Sequence, residues 1–274
     1  MIIISFIKQL SQRFFKDHVL DLAAQCAYYF LLSIFPFLIF AVALLGFLHI
    51  SSDDVITMLY QYVPDVTVEM ISRNLTEILD SRRTGLLSFG FILTIWSASH
   101  AISALIRSLN RAYDVPESRP FLQARFVAIL LTISMIFVII IALLLPVFGK
   151  LIIQWITTTF GLPETTAEFW NNLRWFLSFI ILTVAFTFLY ILGPNEKLTF
   201  REVIVGAVFA STGWQMSSLG FSYYVNHLGN FTATYGGIGG VIVLMMWFHL
   251  SAALLIIGGQ INAILRETDA QSSI

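Results

Sequence analysis

Four side chains capable of polar chemistry sit inside stretches that are otherwise apolar: Gln25, His100, Gln215 and His249. An amide or imidazole in hydrocarbon finds no water, so each must be met by another group, and each is a candidate for a polar path across a bilayer. Imidazoles titrate near neutral pH, so His100 and His249 could relay protons. A relay normally includes a carboxylate, yet no aspartate or glutamate falls within the apolar stretches. A neutral, hydrogen-bonded histidine is therefore an equally open reading. Gln25, beside Tyr28 and Tyr29, equally fits a bond between helices, and Gln215 follows Trp214 among Ser211, Thr212, Ser217 and Ser218.

Other chemistry finds little support. Cys26 is the single cysteine, which excludes an internal disulfide and any CxxC motif. HExxH, GxSxG and paired carboxylates in the apolar stretches are missing, so the reading is of a protein that is not an enzyme, with no catalytic residue, cofactor or metal. A formal net charge of -1 gives no footprint for nucleic acid. Gly236, Gly237, Gly239 and Gly240 lack the lysine or strand context of a phosphate loop. They read either as a tight turn or, with Pro36, as a hinge or gate. Arg107 and Arg111 can meet anionic lipid head groups at a membrane border.

The elements that position these groups are membrane-length helices. Hydrophobic residues make up 58% of the chain and charged residues 11%, far from the roughly 25% charge of soluble domains. About 20 apolar residues cross a bilayer. By that measure six spans are predicted, near residues 22–49, 86–109, 126–148, 175–192, 203–224 and 241–265. Residues 1–21, with Ile3, Ile7, Leu10 and Phe14 at helical spacing, predict an amphipathic helix on the membrane surface, and 267–274 a short tail. The 51–84 segment reads as short interfacial helices. With both termini inside, Lys8, Arg13, Lys16, Arg107, Arg111, Arg119, Arg125, Lys197, Arg201 and Arg266 fall on the inner side, against Arg73, Arg82, Arg83, Lys150 and Arg174 outside. The positive-inside rule then places both termini in the cytoplasm.

Gly206, Ala210, Gly213, Ser217 and Gly220 line one face of the fifth span, a close-packing device. The third and fourth spans are nearly all large apolar residues. That contrast predicts spans one, two, five and six inside and the other two facing lipid.

Several stretches in order resemble the YihY/BrkB family of bacterial inner-membrane proteins. They are Ala27 to Phe37 (AYYFLLSIFPF); Trp96 to Ala98, then Asn110, Arg111 and Tyr113; Gly193, Pro194 and Asn195 before Arg201 and Gly206; Trp214; Tyr235 and Gly236; and Trp247 leading to Gly258, Gln260 and Asn262. The resemblance implies six transmembrane helices in a bacterial plasma membrane. Members of that family carry a ribonuclease label, virulence or serum-resistance names, or a suggested role in envelope-lipid or ion transport. Where the family commonly has glutamate in its last motif this chain has Gln260, so a role needing a carboxylate there does not carry over. The resulting expectation is a transporter-like protein for an envelope lipid or ion, touching membrane lipids and no nucleic acid. The competing expectation is an assembly protein that packs against a copy of itself or a membrane partner; a membrane-embedded enzyme is the third, with the ribonuclease label a poor fit to short loops, sparse basic residues and no metal-binding carboxylate cluster.

Overall fold

The computed structural model describes residues 2–47, 84–138, 164–227 and 237–272. Within them all regular structure is helical: α1 Ile2–Lys16, α2 Val19–Phe47, α3 Thr84–Ala112, α4 Phe121–Val138, α5 Glu164–Leu192, α6 Phe200–His227 and α7 Gly237–Ser272. The 51–83 segment, residues 139–148 of the third predicted span and Gly236 lie outside the described residues.

Among the described residues, five segments are long and apolar enough to cross a membrane: Val19–Ala41, Gly85–Ala112, Phe121–Val138, Trp175–Leu192 and Gly239–Ala270. α6 is not among them. At 28 residues it is long enough, but Ser211, Thr212, Gln215, Ser217 and Ser218 dilute its apolar character.

Local chemistry sets the helix ends. α1 stops at His18, whose φ of 54° breaks the α-helical run; Asp17 N–H still reaches Arg13 O at 2.8 Å. α3 closes in a Schellman motif. Asp114 N–H donates to Arg111 O at 3.1 Å, Val115 N–H to Asn110 O at 3.0 Å, and Asp114 takes the left-handed position with φ 56°. α6 opens with Thr199 and Glu202 three residues apart, Glu202 Oε2 accepting from Thr199 N–H at 2.7 Å and from its hydroxyl at 2.6 Å. This is a capping box.

The chain divides into two compact units. In the unit of residues 29–98, the α2 backbone comes close to α3 at Gly90, where an added methyl would lie 2.8 Å from Phe40 N. Phe40 and Phe91 pack with ring centroids 5.5 Å apart. α2 runs unbroken through Pro36, which is buried.

The other unit comprises residues 1–28 and 99–274. Here α6 packs against both α5 and α7, and α1 lies against α7. The contact depends on side chains that are absent. A methyl on Gly206 would overlap the Gly258 carbonyl, one on Gly258 the Tyr190 hydroxyl, and one on Gly259 the Leu109 side chain. Leu109, Leu189, Tyr190, Gln260 and Asn262 are fully buried around this point.

Two expectations change. The fourth predicted span, within α5, is lipid-facing on one side only: Phe176, Ile180, Val184 and Phe188 are exposed, while Leu182, Ala185, Phe186, Leu189 and Tyr190 are buried, because the small residues of α6 and α7 admit large side chains between them. Gly237, Gly239 and Gly240 form neither a loop gate nor a turn; they are the first turn of α7. Glycine lacks helix propensity, but a long apolar helix follows and carries the register back through them. At its far end α7 continues through 267–272, where the sequence suggests a tail.

Candidate functional site

The C-terminal ends of α3, α5 and α7 and the start of α6 meet in a polar layer. Asn110, 4% exposed, is its hub. Its Nδ2 donates to Glu117 Oε2 at 3.0 Å, and its Oδ1 accepts from Asn195 N–H at 2.7 Å. Asn195 Nδ2 then donates to Pro116 O at 2.9 Å and Ser118 Oγ at 2.7 Å. Arg119 completes the clamp through Nε to Glu117 Oε1 at 2.7 Å, NH2 to Glu117 Oε2 at 2.6 Å and NH2 to Gly193 O at 2.9 Å. The loop after α3 is thereby tied to the loop after α5.

These bonds act on the charge of Glu117. The Arg119 side chain, chiefly, and the Asn110 amide hold its carboxyl below the usual range, against a smaller opposing effect of burial. A depressed native pKa adds stability that is fully present above the unfolded value, about 4.3, and is lost as pH falls through the native one. The gap in thermal midpoint between wild type and Glu117→Gln is therefore expected to close on acidification below about pH 4. A gap unchanged between pH 7 and pH 3 would count against the clamp.

Deeper in the layer, Asn262 Oδ1 accepts from Gly206 N–H at 2.7 Å, and the Tyr190 hydroxyl donates to Leu255 O at 2.7 Å. Gln260 Nε2 donates to Asp17 Oδ2 at 2.9 Å, although Asp17 lies 243 residues away. Arg111 NH1 caps the Asp17 carbonyl at 3.2 Å. Arg13 donates to Ala112 O at 2.9 Å and to both Glu267 oxygens, at 2.5 and 2.6 Å. Arg266 meets Glu196 at 2.9 Å and Glu202 at 3.0 Å. The first helix is thus fastened to the last.

From this layer a polar line climbs α3. His100, Arg107 and Arg111 stand at i, i+7 and i+11 and share one face. Arg107 NH2 donates to Gln25 Oε1 at 3.2 Å. Higher up, Arg125 of α4 brings NH1 to 3.5 Å from His100 Nδ1 and NH2 to 3.4 Å from Nε2. Those distances are long for hydrogen bonds. His100 stands 12 positions, about 18 Å along the helix, before Ala112, whereas Arg125 stands one turn into α4.

Of the four polar residues picked out in the sequence, Gln25 and His100 belong to this line, each beside an arginine. No hydrogen bond among the described residues ties Gln215 or His249 to them. Both are half-buried near a separate contact, where Trp214 and Trp247 meet edge-on at 5.6 Å and Trp247 Nε1 donates to Ser218 Oγ at 3.3 Å. No group of three or more His, Cys, Asp or Glu able to hold a metal occurs among the described residues. Sequence reasoning missed Asp17, which looks like one more charge at the end of an amphipathic helix, and Arg125, which counts there only as a border charge.

The residues that converge in the polar layer, Asn110, Arg111, Gly193, Asn195, Gly206, Gly258, Gln260 and Asn262, are those of the ordered motifs. A family model described as virulence factor BrkB matches residues 10–274. A Bacillus subtilis (strain 168) protein named as ribonuclease-like, YfkH, is 46% identical over 263 residues, covering 96% of each chain. A UPF0761 membrane protein of Aliivibrio salmonicida is 27% identical over 273 residues, covering 97% of this chain and 84% of its own. One from Alkalilimnicola ehrlichii is 24% identical and covers 96% and 58%. No solved structure matches the chain. With the match extending from α1 through α7 and several membrane-length helices present, the chain belongs to the BrkB family of membrane proteins.

Proposed function

We propose that this protein is a non-enzymatic, transporter-like protein of the bacterial plasma membrane that moves an amphipathic envelope lipid or an ion. In this reading α6 is a sixth span, shielded by α5 and α7 from the lipid its serines would meet, and both termini are cytoplasmic. The arginine-rich layer is then the cytoplasmic border, in keeping with the positive-inside rule. One observation carries the proposal: Arg125, one turn into α4, lies against His100 of the membrane-length helix α3, at the top of a line that begins with Arg111 and Arg107. Ionisable groups drawn alongside a membrane-length helix are costly and often mark a path for substrate. A cation beside the imidazole, where a proton relay would have a carboxylate, favours an anionic or zwitterionic cargo. Gln215 and His249 stay in the proposal as a second polar contact on the route.

The test is flux in proteoliposomes of the purified protein, following labelled phospholipid and monovalent ions in parallel. Arg125→Gln with His100→Ala is expected to cut the supported flux about tenfold or more, the scale of losing one charge-assisted contact in a low-dielectric path. Wild-type flux equal to that of empty liposomes for both substrate sets would remove the proposal. The assembly reading then gains, and Gly220 and Gly240, where an added methyl meets nothing within 4 Å, are the places to look for a second copy or partner by cross-linking.

A further inference from the structure

Beside the end of α3 lies an open, shallow cavity of about 450 Å³. Arg107, Asn110, Arg111, Asp114, Val115, Pro116 and Glu117 line it. Two guanidiniums and two carboxylates around one space are a poor fit to a simple anion. They suit a ligand that carries both signs.

The two arginines are held in place with donors to spare. Each is oriented by a single bond at 3.2 Å, Arg107 to Gln25 Oε1 and Arg111 to the Asp17 carbonyl. A guanidinium has five N–H donors in a fork that matches phosphate. Of the two carboxylates, Glu117 has both oxygens engaged by Arg119 and Asn110. No hydrogen bond or ion pair among the described residues engages the Asp114 carboxylate. Asp114 also stands at the carbonyl end of α3, where the helix dipole favours a cation.

The backbone gives an independent reason to single out Asp114. It occupies the left-handed position of the Schellman motif at φ 56°, where glycine is the usual and least strained choice. A side chain kept at such a position points to a use.

We propose that this cavity binds the phosphoethanolamine head of a membrane phospholipid, the phosphate between Arg107 and Arg111 and the ammonium on Asp114. This deepens the transport reading and rests on it for a purpose, but the site can be tested without flux. Its placement at the boundary of a membrane-length helix, Gly85–Ala112, favours a lipid over a free solute. A primary ammonium can donate to a carboxylate, while the trimethylammonium of phosphatidylcholine cannot. That difference separates the two zwitterions.

The experiment is native mass spectrometry of the full-length protein in detergent, with phosphatidylethanolamine, phosphatidylcholine and phosphatidylglycerol added singly and in competition. Wild type is expected to retain phosphatidylethanolamine about tenfold over phosphatidylcholine. Arg107→Ala with Arg111→Ala is expected to lose binding of all three. Asp114→Gly is the decisive variant: it should abolish the preference while leaving the thermal midpoint unchanged or raised, because glycine suits φ 56° better. A purely structural Asp114 would give a lowered midpoint and an intact preference, which overturns the proposal, as does equal retention of the three lipids by wild type. Soluble glycerophosphoethanolamine at the same concentration should compete poorly; full competition would overturn the lipid source. Head-group preference without proteoliposome flux would remove the transport reading and keep the site, and flux without preference would do the reverse.

Discussion

Gly206→Ala is expected to destabilise the protein by about 3 kcal/mol or more, the upper range for forcing a methyl into a packed core. The methyl would overlap the Gly258 carbonyl and lie 2.5 Å from Asn262 Oδ1. A carbonyl in a helix cannot swing away as the tip of a side chain can, so α6 and α7 must separate. Separation also breaks the bond from Gly206 N–H to Asn262, a residue with no exposure. Gly220→Ala, in the same helix but with open space around it, is expected to be neutral or to stabilise by about 0.5–1 kcal/mol through helix propensity. Thermal midpoints in detergent, followed by tryptophan fluorescence, compare the two. If both variants shift alike, the close approach is not what holds these helices together.

Asn110→Ala is expected to cost about 2–4 kcal/mol, since it removes a bond to the charged Glu117 and leaves the Asn195 N–H without its partner at a half-buried position. Loss of the hub frees the loop after α3 from the loop after α5. Faster limited proteolysis between residues 113 and 120 is the second readout. A double-mutant cycle with Asn195→Ala isolates the shared part, with a coupling of about 0.5–3 kcal/mol expected for residues in one network. Additive effects would mean that the two asparagines act separately.

How much of this was legible in the sequence differs from residue to residue, for physical reasons. The helices were, because apolar runs of membrane length leave the backbone few other solutions. The small stripe was legible as a packing device, and Gly206 and Gly213 serve as one, with Leu254 against Gly213. What it packs against was not, since spacing on α6 says nothing of Tyr190 on α5 or Gly258 on α7. That is why α5, uniformly large and apolar, reads as lipid-facing all round although one of its faces is buried. Gln25 and His100 were visible as polar residues in apolar surroundings. Their partners Arg107 and Arg125 were not, because an arginine near a helix end can extend outward or lie along the helix, and only packing decides. Asp17 was the hardest case. Its burial comes from Gln260, almost the whole chain away, and no local pattern carries that information.

The fastening of α1 to α7 bears on how the protein is made. Gln260 and Glu267, which hold Arg13 and Asp17, leave the ribosome about 240 to 250 residues after them. At about 5–20 residues per second, the first helix waits roughly 10 to 50 seconds for its partner. During that interval α1 is undocked, and Ile4, Ile7 and Phe15 are exposed even in the finished fold. α7 is therefore the helix that closes the structure, and a chain truncated before Gln260 would leave α1 undocked.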